Sequence, residues 1–223
     1  MKKITLSIAA LAMAAAFTTG FVSCNDKKAD NNAPAADAAS AATTETVAEP
    51  AATEAAAPAE NPLISRKIEG IYINANDLEK AVLTAPLVDE VSGFTLNASE
   101  EKSLEVKSCD PRQIGEDLFT QAISTKGSGK YTVGEDAVNY RTISFPAKAG
   151  DSIIVYATTS SKTDERPLHV VNMATAEEIG TITMMADNGK DMTVAEVVVK
   201  EDGNYCVYST SGTGYIYQIK VGK

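Results

Sequence analysis

Two tyrosines, Tyr156 and Tyr208, sit in short apolar runs, and Arg166, His169 and Gln218 offer planar polar heads in or beside neighbouring runs. Aromatic faces stack on ligand rings and planar polar groups fix hydroxyls, so these five are the candidate ligand-binding residues. The chain has no Trp to act as a platform instead. If Val155 and Val207 point inward, strand alternation turns Tyr156 and Tyr208 away from that core, onto what reads as one shared sheet face. Alternatively, both rings pack beneath loops or beneath the segment that precedes the strands. His169 is the only histidine, so a histidine-rich metal site or proton relay lacks its other members, and an ordinary strand residue accounts for it.

Covalent and acid–base chemistry have thin support. There is no Gly-x-Ser-x-Gly elbow and no His-Glu-x-x-His helix, so neither a hydrolase nucleophile nor a zinc-protease site is signalled. Residues 126–130, Lys-Gly-Ser-Gly-Lys, lack the leading glycine of a phosphate loop, whose place Ser124 takes; a hairpin turn explains them better. Asp187, Asn188 and Asp191 carry oxygens suited to calcium, but their spacing misses the calcium-loop pattern and Asn188-Gly189 is itself a hairpin signal. The acid pairs Glu100-Glu101 and Glu177-Glu178 would point to opposite faces of a strand, so neither pair flanks a single glycosidic bond. No catalytic residue, metal ligand or cofactor is therefore assigned, and the chain reads as non-enzymatic. Cys109 and Cys206 permit one disulfide in an oxidising compartment, while Cys206 within its apolar run also fits as a small core residue.

The elements that must position these residues are strands. Candidate runs are 68–74, 94–98, 103–107, 118–124, 141–147, 152–159, 168–173, 178–185, 192–200, 204–210 and 215–221, separated by Gly, Asn and Asp breaks. One short helix is signalled, with Asn76 as its cap and Glu79 reaching back. Strands at this spacing without intervening helices predict an all-β antiparallel sandwich or barrel. Alternation groups Tyr215, Tyr217, Ile219 and Val221 on a core-facing side. At 223 residues and 44% hydrophobic content, the chain has material for one real core. Its 20 Lys+Arg against 30 Asp+Glu give a net charge of -10, which excludes a nucleic-acid footprint and repels anionic lipid.

The order Arg141-Thr-Ile-Ser-Phe-Pro146, Gly150-Asp-Ser-Ile-Ile-Val-Tyr-Ala157, Arg166-Pro-Leu168, Asn204-Tyr-Cys-Val-Tyr-Ser209 and Tyr217-Gln-Ile-Lys-Val221 resembles the jelly-roll, carbohydrate-binding-module-like domains of Bacteroidetes secreted proteins. These are often found beside pectate-lyase-type catalytic domains. Residues 71–77 and 93–96 look like the opening segments of the same module. The resemblance implies an antiparallel jelly-roll β-sandwich over 63–223; it does not imply that this copy binds sugar.

The first residues read as an address. Lys2 and Lys3, an apolar run from Ile4 to Phe17 and a small-residue exit make a secretory signal peptide over 1–23. Phe21-Val22-Ser23-Cys24 resembles the lipobox of bacterial lipoproteins, with Phe21 where Leu is usual. That resemblance implies acylation of Cys24 and anchorage in the bilayer by more than one chain, at about 0.8 kcal/mol per buried methylene. Asn25 stands where inner-membrane retention commonly places Asp, so the outer membrane is the expected location, facing either periplasm or cell surface. Residues 24–62 comprise the lipidated Cys and a disordered, Ala- and Pro-rich tether that spans roughly 30–40 Å as a flexible coil. The expected role is a non-catalytic module for glycan at the cell envelope, or else a scaffold that contacts envelope proteins.

Overall fold

The computed structural model describes residues 61–223; the signal peptide, Cys24 and the tether through residue 60 lie outside the described residues. Strands are numbered in chain order. One sheet runs β13 (Thr193–Val198), β10 (Ser152–Thr159), β15 (Gly214–Gly222), β6 (Asp117–Ser124), β5 (Leu104–Ile114) and β2 (Ala81–Leu83), with β1 (Gly70–Asn74) also paired to β15. The second runs β12 (Glu178–Met184), β11 (Arg166–Asn172), β14 (Gly203–Tyr208), β9 (Thr142–Ala147), β4 (Thr95–Asn97) and β3 (Leu87–Val88). A separate hairpin joins β7 (Lys130–Thr132) to β8 (Val138–Tyr140). Every pairing is antiparallel. The chain repeatedly changes sheet between β9 and β15, and the result is the jelly-roll sandwich.

This topology changes the meaning of three glycine-containing breaks. Residues 187–189 and 201–203 join strands of different sheets, so each crosses the sandwich edge and closes no hairpin. The 126–129 run is likewise no hairpin turn. It carries the chain from β6 in the first sheet to β7, with Thr125 N–H bonded to Gly214 O at 3.0 Å and Gly129 N–H to Ser209 O at 2.7 Å. Local glycine signals mark a reversal or a crossing equally well; strand pairing decides which.

The main core fills the space between the sheets with Phe94, Ile143, Phe145, Val155, Val170, Val207, Ile219 and Val221 among others. A second apolar cluster lies on the outer side of the first sheet, where Phe119, Ile154, Tyr156 and Tyr217 are covered by Leu63, Ile64 and Ile68. That cover explains why β10 is buried on both sides. It also bears on the 215–221 alternation. Tyr156 pairs with Gln218 but Ala157 pairs with Ile216, so Tyr217 is the extra residue of a β-bulge. A bulge resets alternation, and Tyr215 and Tyr217 consequently face outward while Ile216, Ile219 and Val221 face the core.

The predicted helix is a single 3-10 turn (Ala75–Asp77) capped by Asn74, whose Oδ1 accepts the Asn76 N–H at 3.0 Å. Asn76 instead ties this turn to β6, donating to Leu118 O at 2.7 Å and accepting from the Thr120 and Gln121 N–H groups at 3.0 Å. Cys109 and Cys206 form no disulfide. Cys206 lies on β14 between two core residues, hence on the outer side of the second sheet, whereas Cys109 packs on the outer cluster of the first. The sandwich thickness stands between them.

Candidate functional site

Tyr156 and Tyr208 occupy different sheets and face away from each other, so the shared face expected of them does not exist. On the second sheet, Tyr208 lies beside His169, ring centroids 5.6 Å apart. His169 contacts Glu178 Oε2 through Nδ1 at 2.7 Å and Thr210 Oγ1 through Nε2 at 3.0 Å, and the other Glu178 oxygen accepts from Thr181. The Thr181 hydrogen bond, helped by His169, holds the Glu178 carboxyl below its ordinary range. Arg166 turns its guanidinium to Thr213 O at 3.2 Å. His169 and Glu178 thus spend their polar atoms on each other, Thr181 and Thr210, while the Tyr208 hydroxyl makes no side-chain hydrogen bond among the described residues.

The first sheet is different. Its outer side carries a cleft of about 760 Å³. Gln218 and Lys220 of β15 line its base, and register sets Tyr72 of β1 directly beside Lys220. The segment 64–68 and the β5–β6 turn, residues 115–117, line its sides and meet where Ile64 reaches Gly115. Gly115 is required there, because its φ is +58° and an added Cβ would lie 2.6 Å from Ile64. The segment is a strap held at both ends. Asn61 Nδ2 donates to Val194 O at 3.0 Å, and Arg66 forms an ion pair with Glu196 while also donating to Ser152 Oγ at 3.2 Å. Hydrogen bonding from Ser152, reinforced by Arg66, keeps the Glu196 carboxyl below its usual range.

Beneath the strap Tyr156 is fully buried, its ring tilted against Phe119 with centroids 5.6 Å apart and its hydroxyl 3.3 Å from Lys220 Nζ. It supports the cleft without being open to a ligand. Gln218 is 6% exposed and its Oε1 is buried with no hydrogen-bond partner. An unpaired buried polar group of this kind costs about 1–3 kcal/mol. Tyr72, by contrast, is 55% exposed. Lys220 stands between Tyr156 and the Asp117 carboxylate, 3.5 Å away. The cleft therefore joins an open aromatic ring, an unpartnered amide and a fixed cation, the groups that orient a polyhydroxylated ring.

Of the five residues picked out from sequence, the structure brings Tyr208 and His169 together on one sheet and Tyr156 and Gln218 on the other, with Arg166 apart. Tyr72, Lys220 and Arg66 were missed. The signal for Tyr72 was available, since Ile71 and Ile73 flank it and alternation sends it outward. Asp187 does not join Asp191 as an oxygen cluster: it pairs with Arg112 and Lys162, while the Asp191 carboxylate accepts from Asn188.

No protein-family model matches the chain, and no curated protein matches it. Among solved structures, the chain is similar to the unliganded CBM1 module of BiXyn10A, at 12% identity and TM-score 0.32 over 71% of this chain and 99% of that one. It is also similar to the C-terminal CBM6 module of LamC, a marine laminarinase from Zobellia galactanivorans, at 15% identity and TM-score 0.31, covering 69% and 98%. A third is a CBM36 carbohydrate-binding module in complex with calcium and xylotriose, at 12% identity and TM-score 0.30, covering 68% and 98%. At such TM-scores nothing about a ligand follows for this chain.

Proposed function

We propose that this chain is a non-catalytic glycan-binding module, held at the outer membrane by acylated Cys24. The observation that supports the reading is the juxtaposition, in one cleft, of the open Tyr72 ring with the Gln218 amide and the Lys220 ammonium. Tyr72 stacks on the apolar face of a sugar ring, and the Gln218 amide N–H and the Lys220 ammonium donate to its oxygens. The strap and the β5–β6 turn hold these groups in place before the ligand arrives, which lowers the entropic cost of binding.

A glycan array tests this with the purified chain and its Tyr72→Ala, Gln218→Leu and Tyr208→Ala variants. Saturable binding that Tyr72→Ala and Gln218→Leu weaken, and Tyr208→Ala leaves intact, is the expected result. Binding lost only in Tyr208→Ala would move the site to the second sheet. Silence from a folded sample would reject glycan binding and favour the scaffold role. Anchorage is tested separately: metabolic labelling with a radioactive fatty acid should mark the chain and fail for Cys24→Ala.

A further inference from the structure

The Tyr72 ring does not stand at the end of one cleft but between two. A second cleft of about 580 Å³ shares Gly70, Ile71 and Tyr72 with the first and continues past Asp77, Asp89 and Val91. It follows the open edge of β1, which pairs on one side only, with β15. Glu69 and Lys223 exchange both of their backbone hydrogen bonds, at 3.0 and 3.3 Å. In an antiparallel pair such residues alternate with ones whose backbone groups point away. Gly70, Tyr72 and Asn74 therefore turn their N–H and C=O groups toward the second cleft. A ligand there meets backbone donors and acceptors on one side and two carboxylates on the other.

The two halves also differ in charge. In the first, Arg66 and Lys220 are paired with Glu196 and Asp117, and the lining adds one further charge of each sign, Lys67 and Glu116. In the second, Asp77 and Asp89 have no cation among the lining residues; Asp89 already accepts from the Val91 N–H and the Ser92 hydroxyl, which leaves Asp77 as the open acceptor. A chain carrying a carboxylate or sulfate on every unit would meet repulsion there, whereas sugar hydroxyls donate well to carboxylates.

Building on the glycan-binding reading, we propose that the site takes the interior of a neutral glycan chain, laid across Tyr72 with sugar units in both clefts. One ring on the tyrosine and one in each cleft make at least three units. A terminal sugar alone would fill only part of the groove.

The test is an affinity ladder on the full chain, using mono- to hexasaccharides of neutral glucan and xylan series and of a uronic-acid series. Affinity is expected to rise about tenfold or more from mono- to hexasaccharide within a neutral series, since each added unit brings further hydrogen bonds. Asp77→Ala should weaken the hexasaccharide more than the disaccharide, while Tyr72→Ala weakens every length. A monosaccharide that binds as tightly as its hexasaccharide, or a preference for the uronic-acid series, overturns this proposal and leaves the glycan-binding reading standing. No binding by any member, in a chain whose circular dichroism shows it folded, removes both.

Discussion

Arg112→Ala is the perturbation whose cost follows most directly from the structure. The Arg112 side chain is 2% exposed and its guanidinium pairs with Asp187, itself 13% exposed. The same guanidinium donates to Asp191 O at 2.6 Å and lies 5.4 Å from the centre of the Tyr217 ring. Truncation leaves the Asp187 charge and the Asp191 carbonyl without their partner. Breaking a buried pair from one side costs about 3–5 kcal/mol. Lys162 remains 3.0 Å from the other Asp187 oxygen and softens the loss, so the lower end, about 3 kcal/mol, is expected. For a domain of this size that is a fall of roughly 6–12 °C in Tm. Thermal melting by circular dichroism at neutral pH measures it, and the double variant Arg112→Met with Asp187→Leu should recover most of the loss. Arg112 also fixes β5 just before the 115–117 turn, so the alanine variant should weaken glycan binding without touching the cleft. A fall of less than about 2 °C, or a double variant no better than the single, would refute the assignment of this pair as a buried anchor.

Acid should act through the same pair. Burial pushes the Asp187 carboxyl up, but hydrogen bonds from Lys162 and Arg112 outweigh it and hold the group below its ordinary 3.8. The stabilisation is then fully present above that value and lost as pH falls through the lowered one; melting temperature should drop below about pH 4, and less so in Asp187→Asn. Ala176 sits at φ +58°, where a Cβ is disfavoured, so Ala176→Gly should raise stability by about 1 kcal/mol in urea titration. Burial lifts the Cys206 thiol to about 12, so maleimide should label half-buried Cys109 in the native protein and reach Cys206 only after denaturation.

The strand runs were legible because each is short, apolar and bounded by turn residues. Run 152–159 coincides with β10, and 178–185 ends one residue past β12. β2, β3, β7 and β8 were not legible: none exceeds three residues, too short for alternation to register, and β4, of the same length, was found only as part of the longer run 94–98. The faces of β15 were misassigned because a bulge is a property of the pair β10–β15 and leaves no mark in either strand alone. The same limit separated Tyr156 from Tyr208. Alternation says which side of its own sheet a residue takes, but whether two strands share a sheet depends on topology. Gln218 was legible as a polar residue in an apolar strand, though the unpartnered state of its amide emerges only from three-dimensional packing.

Why Tyr72 is the open ring follows from where the strap ends. Several aromatic rings face outward on the first sheet, and Phe119, Tyr156 and Tyr217 among them belong to one cluster beneath Leu63, Ile64 and Ile68. Left open, that cluster would be an apolar patch of the kind that drives association. The strap removes the liability, and by lying along the cluster it also becomes the cleft wall. Tyr72 is on β1, at the edge of the sheet and clear of this cover, which is why its ring stays open while its neighbours are sealed. Arg66 and Asn61 tie down the one segment that both covers three aromatic residues and lines the cleft, through the ion pair with Glu196 and the bond to Val194 O. Loosening it should expose apolar surface and widen the site together, because one segment forms both the cover and the wall.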